Sequence, residues 1–101
     1  MTADDTSTPL NKRAPDKVDA VIAAMLKTFR TTRNMSQTEL AQAVGITFQQ
    51  IQKYETAANR IPASRLYYLA QVLEVSVADF FRPLPDAPSI MTQRLGAGHR
   101  I

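Results

Sequence analysis

Apolar residues recur along this chain at helical spacing, in short blocks separated by turn-forming residues. Val18, Val21, Ile22, Met25, Leu26 and Phe29 fall three and four apart, which gives a first helix one apolar face. Asp16 stands where an N-cap belongs, and Arg33-Asn34 forms the link after an expected end near Thr32. Ser36-Gln37-Thr38-Glu39 reads as a capping box, with Met35 and Leu40 placed as a hydrophobic staple around it. Leu40, Ala41 and Val44 supply the buried stripe of a short second helix, and Gly45 can stop it by taking a positive φ. Thr47-Phe48-Gln49-Gln50 is a second box that opens a third helix. In it Ile51 and Tyr54 face the core, while Gln49, Gln50, Gln52 and Lys53 lie on the other faces. After the break at Pro62, Leu66, Tyr67, Leu69, Ala70 and Leu73 define a fourth helix capped near Ala63 or Ser64. Ser76-Val77-Ala78-Asp79 is a third box, which predicts a short fifth helix ending in Phe80-Phe81. The expected fold class is therefore all-α, with five helices.

Composition sets the limits of this picture. With 101 residues the chain has room for one small domain and its tails. The helical pattern spans residues 18–82; residues 1–17 read as a flexible N-terminal arm, and residues 83–101 as a Pro-rich linker and tail. The absence of cysteine removes disulfides, thiolate zinc sites and cysteine nucleophiles, and suits a reducing compartment. No apolar run approaches the roughly 18 residues that span a bilayer, and the N-terminus has no apolar signal region. A cytoplasmic protein is expected. An enzyme is not: the only histidine, His99, lies in the tail, and there is no glycine-rich phosphate loop and no nucleophile–base pair to propose. No metal or organic cofactor is implied.

Charge points to a partner. The net charge is +3, and Lys27, Arg30, Arg33, Lys53, Arg60 and Arg65 face only Glu39 and Glu55 between Lys27 and Arg65. Lysine and arginine gain free energy by displacing counterions from nucleic-acid phosphates. The second and third helices, joined by the tight AVGIT turn, form a helix-turn-helix. The small Ala41 lets the helices approach, and the third helix presents its N-terminal end outward. Glutamine there can bond two groups on one base edge, lysine can reach guanine acceptors or phosphate, and first-turn N–H groups can meet phosphate oxygens.

From about Ile22 to Phe81 the chain resembles the Cro and lambda-repressor type of helix-turn-helix regulator. The resemblance is carried by MSQTELAQAVGIT, IQKYE and RIPASRLYYLAQVLEVSVADFF. It implies a phage-repressor-like five-helix domain that binds double-stranded DNA in the major groove as a homodimer. The site would be an inverted repeat with half-sites roughly 34 Å apart, and the outcome repression of a promoter. By the same resemblance, Phe48, Gln49 and Lys53 occupy base-reading positions flanked by Gln50 and Gln52. Gln37 would contact phosphate and brace the reading helix, Thr47 and Arg60 would contact the backbone, and Arg30 would pair with Glu55 structurally. Phe48 stands where polar residues are common; its ring suits a thymine methyl group or packing on the turn. Thr56-Ala57 replaces a glycine frequent after the glutamate, and because Ala57 resists positive φ a different exit from the third helix is expected. Antitoxins often resemble the same family and cover a toxin with a terminal extension. The tail from Pro83 is thus a candidate for a protein partner, or for dimerisation.

Overall fold

The computed structural model describes residues 16–85; the N-terminal arm up to residue 15 and the tail from residue 86 lie outside the described residues. Four α-helices and one 3-10 helix follow in order: α1 (Lys17–Thr32), α2 (Gln37–Val44), α3 (Phe48–Glu55), α4 (Ala63–Leu73) and a closing 3-10 helix (Val77–Phe81). The described residues contain no strand.

Local chemistry starts each element. The Asp16 carboxylate accepts from the Val18 N–H at 2.9 Å. At α2 the capping box is complete: the Glu39 N–H donates to Ser36 Oγ at 2.9 Å, and the Ser36 N–H donates to Glu39 Oε1 at 2.7 Å. At α3 only half of the box forms. The Gln50 N–H donates to Thr47 Oγ1 at 3.1 Å, with no return bond from the Gln50 side chain. A neutral amide gains less than a carboxylate from the positive end of a helix, so the return bond is weakly favoured. The α4 cap is Pro62, in place of the expected Ala63 or Ser64, and makes no side-chain bond. Its fixed φ of −60° leads into the first turn without one.

The expected fifth α-helix is instead a 3-10 helix, capped by a reciprocal Ser76–Asp79 box. Bonds from Ser76 lower the Asp79 pKa first, and Arg82 lowers it further. The element has only five residues, and Pro83 lacks the N–H that would extend an α-type ladder to the Asp79 carbonyl.

Helix ends supply the second departure from expectation. Four turns pass through the left-handed region, at Asn34 (φ 58°), Gly45 (φ 76°), Ala57 (φ 64°) and Glu74 (φ 59°). Ala57 thus takes the conformation it was expected to resist. The Asn59 N–H reaches the Lys53 carbonyl at 3.2 Å and closes the turn around it, so backbone pairing outweighs the local cost. Left-handed geometry costs an alanine about 1–2 kcal/mol, while glycine loses about 0.4–1 kcal/mol more chain entropy on folding. Ala57→Gly is therefore expected to stabilise the protein by roughly 0.5–1 kcal/mol. Urea unfolding followed by circular dichroism should show a higher midpoint at an unchanged slope.

One core holds the elements together. Leu26, Leu40, Ala41, Ile51, Tyr54, Leu66, Leu69, Ala70, Leu73 and Phe80 form it, with Ile22, Met25, Phe29, Met35 and Val44 packed around them. α2 lies on α3 and α4, α1 backs α3, and the 3-10 helix seals the other side of α1. Val18, expected on the apolar face, is exposed at the end of α1, and Tyr67 points away from the core of α4. A helix of 16 residues extends past so small a core, and the inward face of α4 is already filled by Leu66, Leu69, Ala70 and Leu73.

Candidate nucleic-acid interface

The third helix is held from behind by a buried ionic cluster. Arg30 on α1 donates from Nε to Glu55 Oε2 and from Nη2 to Glu55 Oε1, the latter at 3.0 Å. Its Nη1 donates to the Met35 carbonyl at 2.7 Å, in the link before α2. Gln37, the first residue of α2, donates from Nε2 to Glu55 Oε1 at 2.9 Å. One carboxylate thus ties the end of α3 to α1 and to the start of α2. Both charges are buried, with side-chain exposures of 10% for Arg30 and 2% for Glu55. The hydrogen bonds to Glu55 raise the Arg30 pKa, burial works against them, and the Glu55 charge adds to the rise. Planar fork geometry and satisfied oxygens are what a desolvated pair requires.

With Ile51, Tyr54 and Glu55 buried, the opposite face of α3 is open. Phe48, Gln49, Gln52 and Lys53 are all exposed, and they fall in two i, i+4 pairs: Phe48 with Gln52 and Gln49 with Lys53. These four residues make a ribbon about two-fifths of the helix circumference wide. Gln50 does not join it: at the border of the buried face, it is half-covered. Thr47 is exposed at the start of the helix, where its hydroxyl is already used as the cap.

Arg60 lies in the loop after α3, where its Nε donates to Asp19 Oδ2 at 2.7 Å. This contact bridges 41 positions and pins the loop to the start of α1; nothing in the local sequence signals it. The linear cluster of basic residues is accordingly thinned in three dimensions. Arg30 is consumed inside, Arg33 meets Glu74 at 3.3 Å and Arg60 meets Asp19. Of the six, Lys27 and Lys53 are exposed without an acidic partner among the described residues. Lys53 carries its charge on the open ribbon itself.

A tight two-helix unit with a solvent-facing second helix, buttressed from α1, defines a helix-turn-helix domain. The profile of the helix-turn-helix family HTH_3 matches residues 26–80, and the chain belongs to that family. An HTH-type transcriptional regulator of Sinorhizobium medicae is 45% identical over 75 residues, covering 74% of this chain and 54% of the relative. Another from Sinorhizobium fredii is 42% identical over 91 residues, covering 89% of this chain and 61% of its own. The chain thus spans little more than half the length of these relatives. The crystal structure of an HTH_3 family transcriptional regulator from Vibrio cholerae superposes with a TM-score of 0.62 at 28% identity, over 67% of this chain and 38% of that one. Among the described residues no helix is long and apolar enough to cross a membrane.

Proposed function

We propose that this protein is a sequence-specific, double-stranded DNA-binding transcriptional regulator of the cytoplasm, acting as a homodimer that represses a promoter carrying an inverted repeat. The observation that carries this reading is the open ribbon Phe48-Gln49-Gln52-Lys53 on a helix whose back is fixed by Glu55. A helix can enter the major groove only with a side-chain face that is exposed and rigidly aimed. Family membership and relatives that are transcriptional regulators support it. In this reading Gln49 and Lys53 contact base edges, with Gln52 and the half-covered Gln50 beside them, while Gln37, Thr47 and Arg60 meet phosphates. The Gln37 amide N–H not bonded to Glu55, and the Arg60 nitrogens not bonded to Asp19, are the donors offered. Dimerisation is favoured by the outer side of α4: its exposed positions Ala63, Ser64, Tyr67, Tyr68 and Gln71 carry no charge. Two copies of a basic chain could meet there without like-charge repulsion, and exposed tyrosines are common in interface cores.

Selection of bound duplexes from a random pool tests the proposal. Enrichment of a two-fold symmetric site with a steep salt dependence is expected; weak, salt-sensitive binding to every sequence would overturn it. Single variants should then divide the labour. Gln49→Ala is expected to flatten preference at one base pair per half-site, by about 1–3 kcal/mol. Arg60→Ala should weaken all duplexes alike and lower the salt slope by about 1 per protomer. Equal losses on every sequence for both variants would refute the assignment.

A further inference from the structure

We propose that Phe48 reads the 5-methyl group of a pyrimidine, which makes it a specificity-determining residue of the α3 face. This rests on the DNA-reading proposal above. Phe48 is the first residue of α3 and the only apolar member of the open ribbon. The residue is 38% exposed and is not one of the buried residues of the core. The structure therefore explains Ile51 and Tyr54 by burial, but leaves Phe48 outside the buried core with more than a third of its surface open. It stands at the end of α3 that leads into the groove, one turn before Gln52 and next to Gln49.

Major-groove base edges offer one large apolar feature, the methyl group on pyrimidine C5, set among hydrogen-bond donors and acceptors. A phenyl ring can form no hydrogen bond. Set over a purine N7 or a cytosine N4, it would strip water from a polar group and give nothing back. Set over a methyl group, both partners lose apolar contact with water. Attraction to the methyl and rejection of the polar edges then act in the same direction. Duplex DNA carries this methyl on thymine and on 5-methylcytosine, so the ring recognises the group and the neighbouring amides Gln49 and Gln52 read what surrounds it.

The test uses the full chain and the site recovered from the random pool, with pyrimidines altered one at a time. Deoxyuridine replaces each thymine, and 5-methyldeoxycytidine replaces each cytosine. One position per half-site is expected to respond, by about fourfold in Kd for each methyl removed or added. A response to deoxyuridine identifies thymine as the source; tightening on cytosine methylation identifies 5-methylcytosine. In Phe48→Ala the same substitution should be silent, while Phe48→Leu should retain part of the response. Thermal melting checks that both variants fold, which the exposed position favours. The inference fails if no methyl change alters wild-type affinity, or if Phe48→Ala responds as the wild type does. Failure to enrich any site would instead overturn the DNA-reading proposal, and this inference with it.

Discussion

Glu55→Ala should remove about 3–5 kcal/mol of folding stability, the largest loss expected from any single polar substitution in the described domain. A domain of this size has in total only about 4–10 kcal/mol at roughly 0.05–0.15 kcal/mol per residue. The variant should therefore melt far below the wild type or populate the unfolded state at room temperature. The reason is the charge left behind. Arg30 would keep its bond to the Met35 carbonyl, yet its Nε and Nη2 would face a vacated, dehydrated space. Gln37 would lose the acceptor for its Nε2 at the same time. Glu55→Gln keeps the shape and one acceptor oxygen, so it should cost clearly less. The double substitution Arg30→Met with Glu55→Met replaces the pair by apolar side chains of similar length, and such replacements are often neutral for stability. It should fold again but bind the selected DNA more weakly, because nothing then bonds α3 to Gln37. Urea unfolding followed by circular dichroism, with affinity measured on folded variants only, separates the two effects. A loss below about 1 kcal/mol for Glu55→Ala would mean that the cluster is solvated and braces nothing.

The same cluster shows what could be read before the fold was known. Signals that act within four residues were legible: the Ser36–Glu39 and Ser76–Asp79 boxes, the Asp16 cap and the stop at Gly45 each depend on neighbours along the chain. The Arg30–Glu55 pair spans 25 positions, so periodicity contains no trace of it and only the family resemblance pointed there. The Arg60–Asp19 contact spans 41 positions and had no pointer at all. Left-handed stops were legible only where glycine marks one. Asn34 tolerates the same geometry through its short amide side chain, whereas Ala57 and Glu74 adopt it because the next element is packed in place, and local preference yields to it. The open face of α3 was mostly visible as the part left over once Ile51 and Tyr54 faced inward. Gln50 shows the limit of that argument: it lies at the edge of the buried arc, and a pattern of apolar and polar residues does not locate an edge to within one residue.

Phe80→Ala should cost a similar 3–5 kcal/mol, but with a different functional signature. Phe80 has no exposed surface and meets the Phe29 ring edge-to-face, with centroids 5.1 Å apart and planes at 81°. It is the one fully buried side chain of the 3-10 helix, whose principal neighbours are α1 and α4. Alanine there forfeits the ring's burial, opens a cavity beside Phe29 and removes the anchor that keeps a five-residue element folded against the domain. Each kcal/mol lowers the melting temperature of a domain this small by about 4–8 °C, so a fall of more than about 12 °C is expected. Phe80→Leu retains most of the volume and should lose far less. Neither change touches the bonds of Glu55 to Arg30 and Gln37. At a temperature where Phe80→Ala is still folded, its affinity for the selected site should therefore match the wild type, whereas the Arg30→Met, Glu55→Met variant should not. If Phe80→Ala, while folded, loses affinity as that double variant does, then the aim of α3 depends on the whole core. The role assigned to the Glu55 cluster would then be wrong.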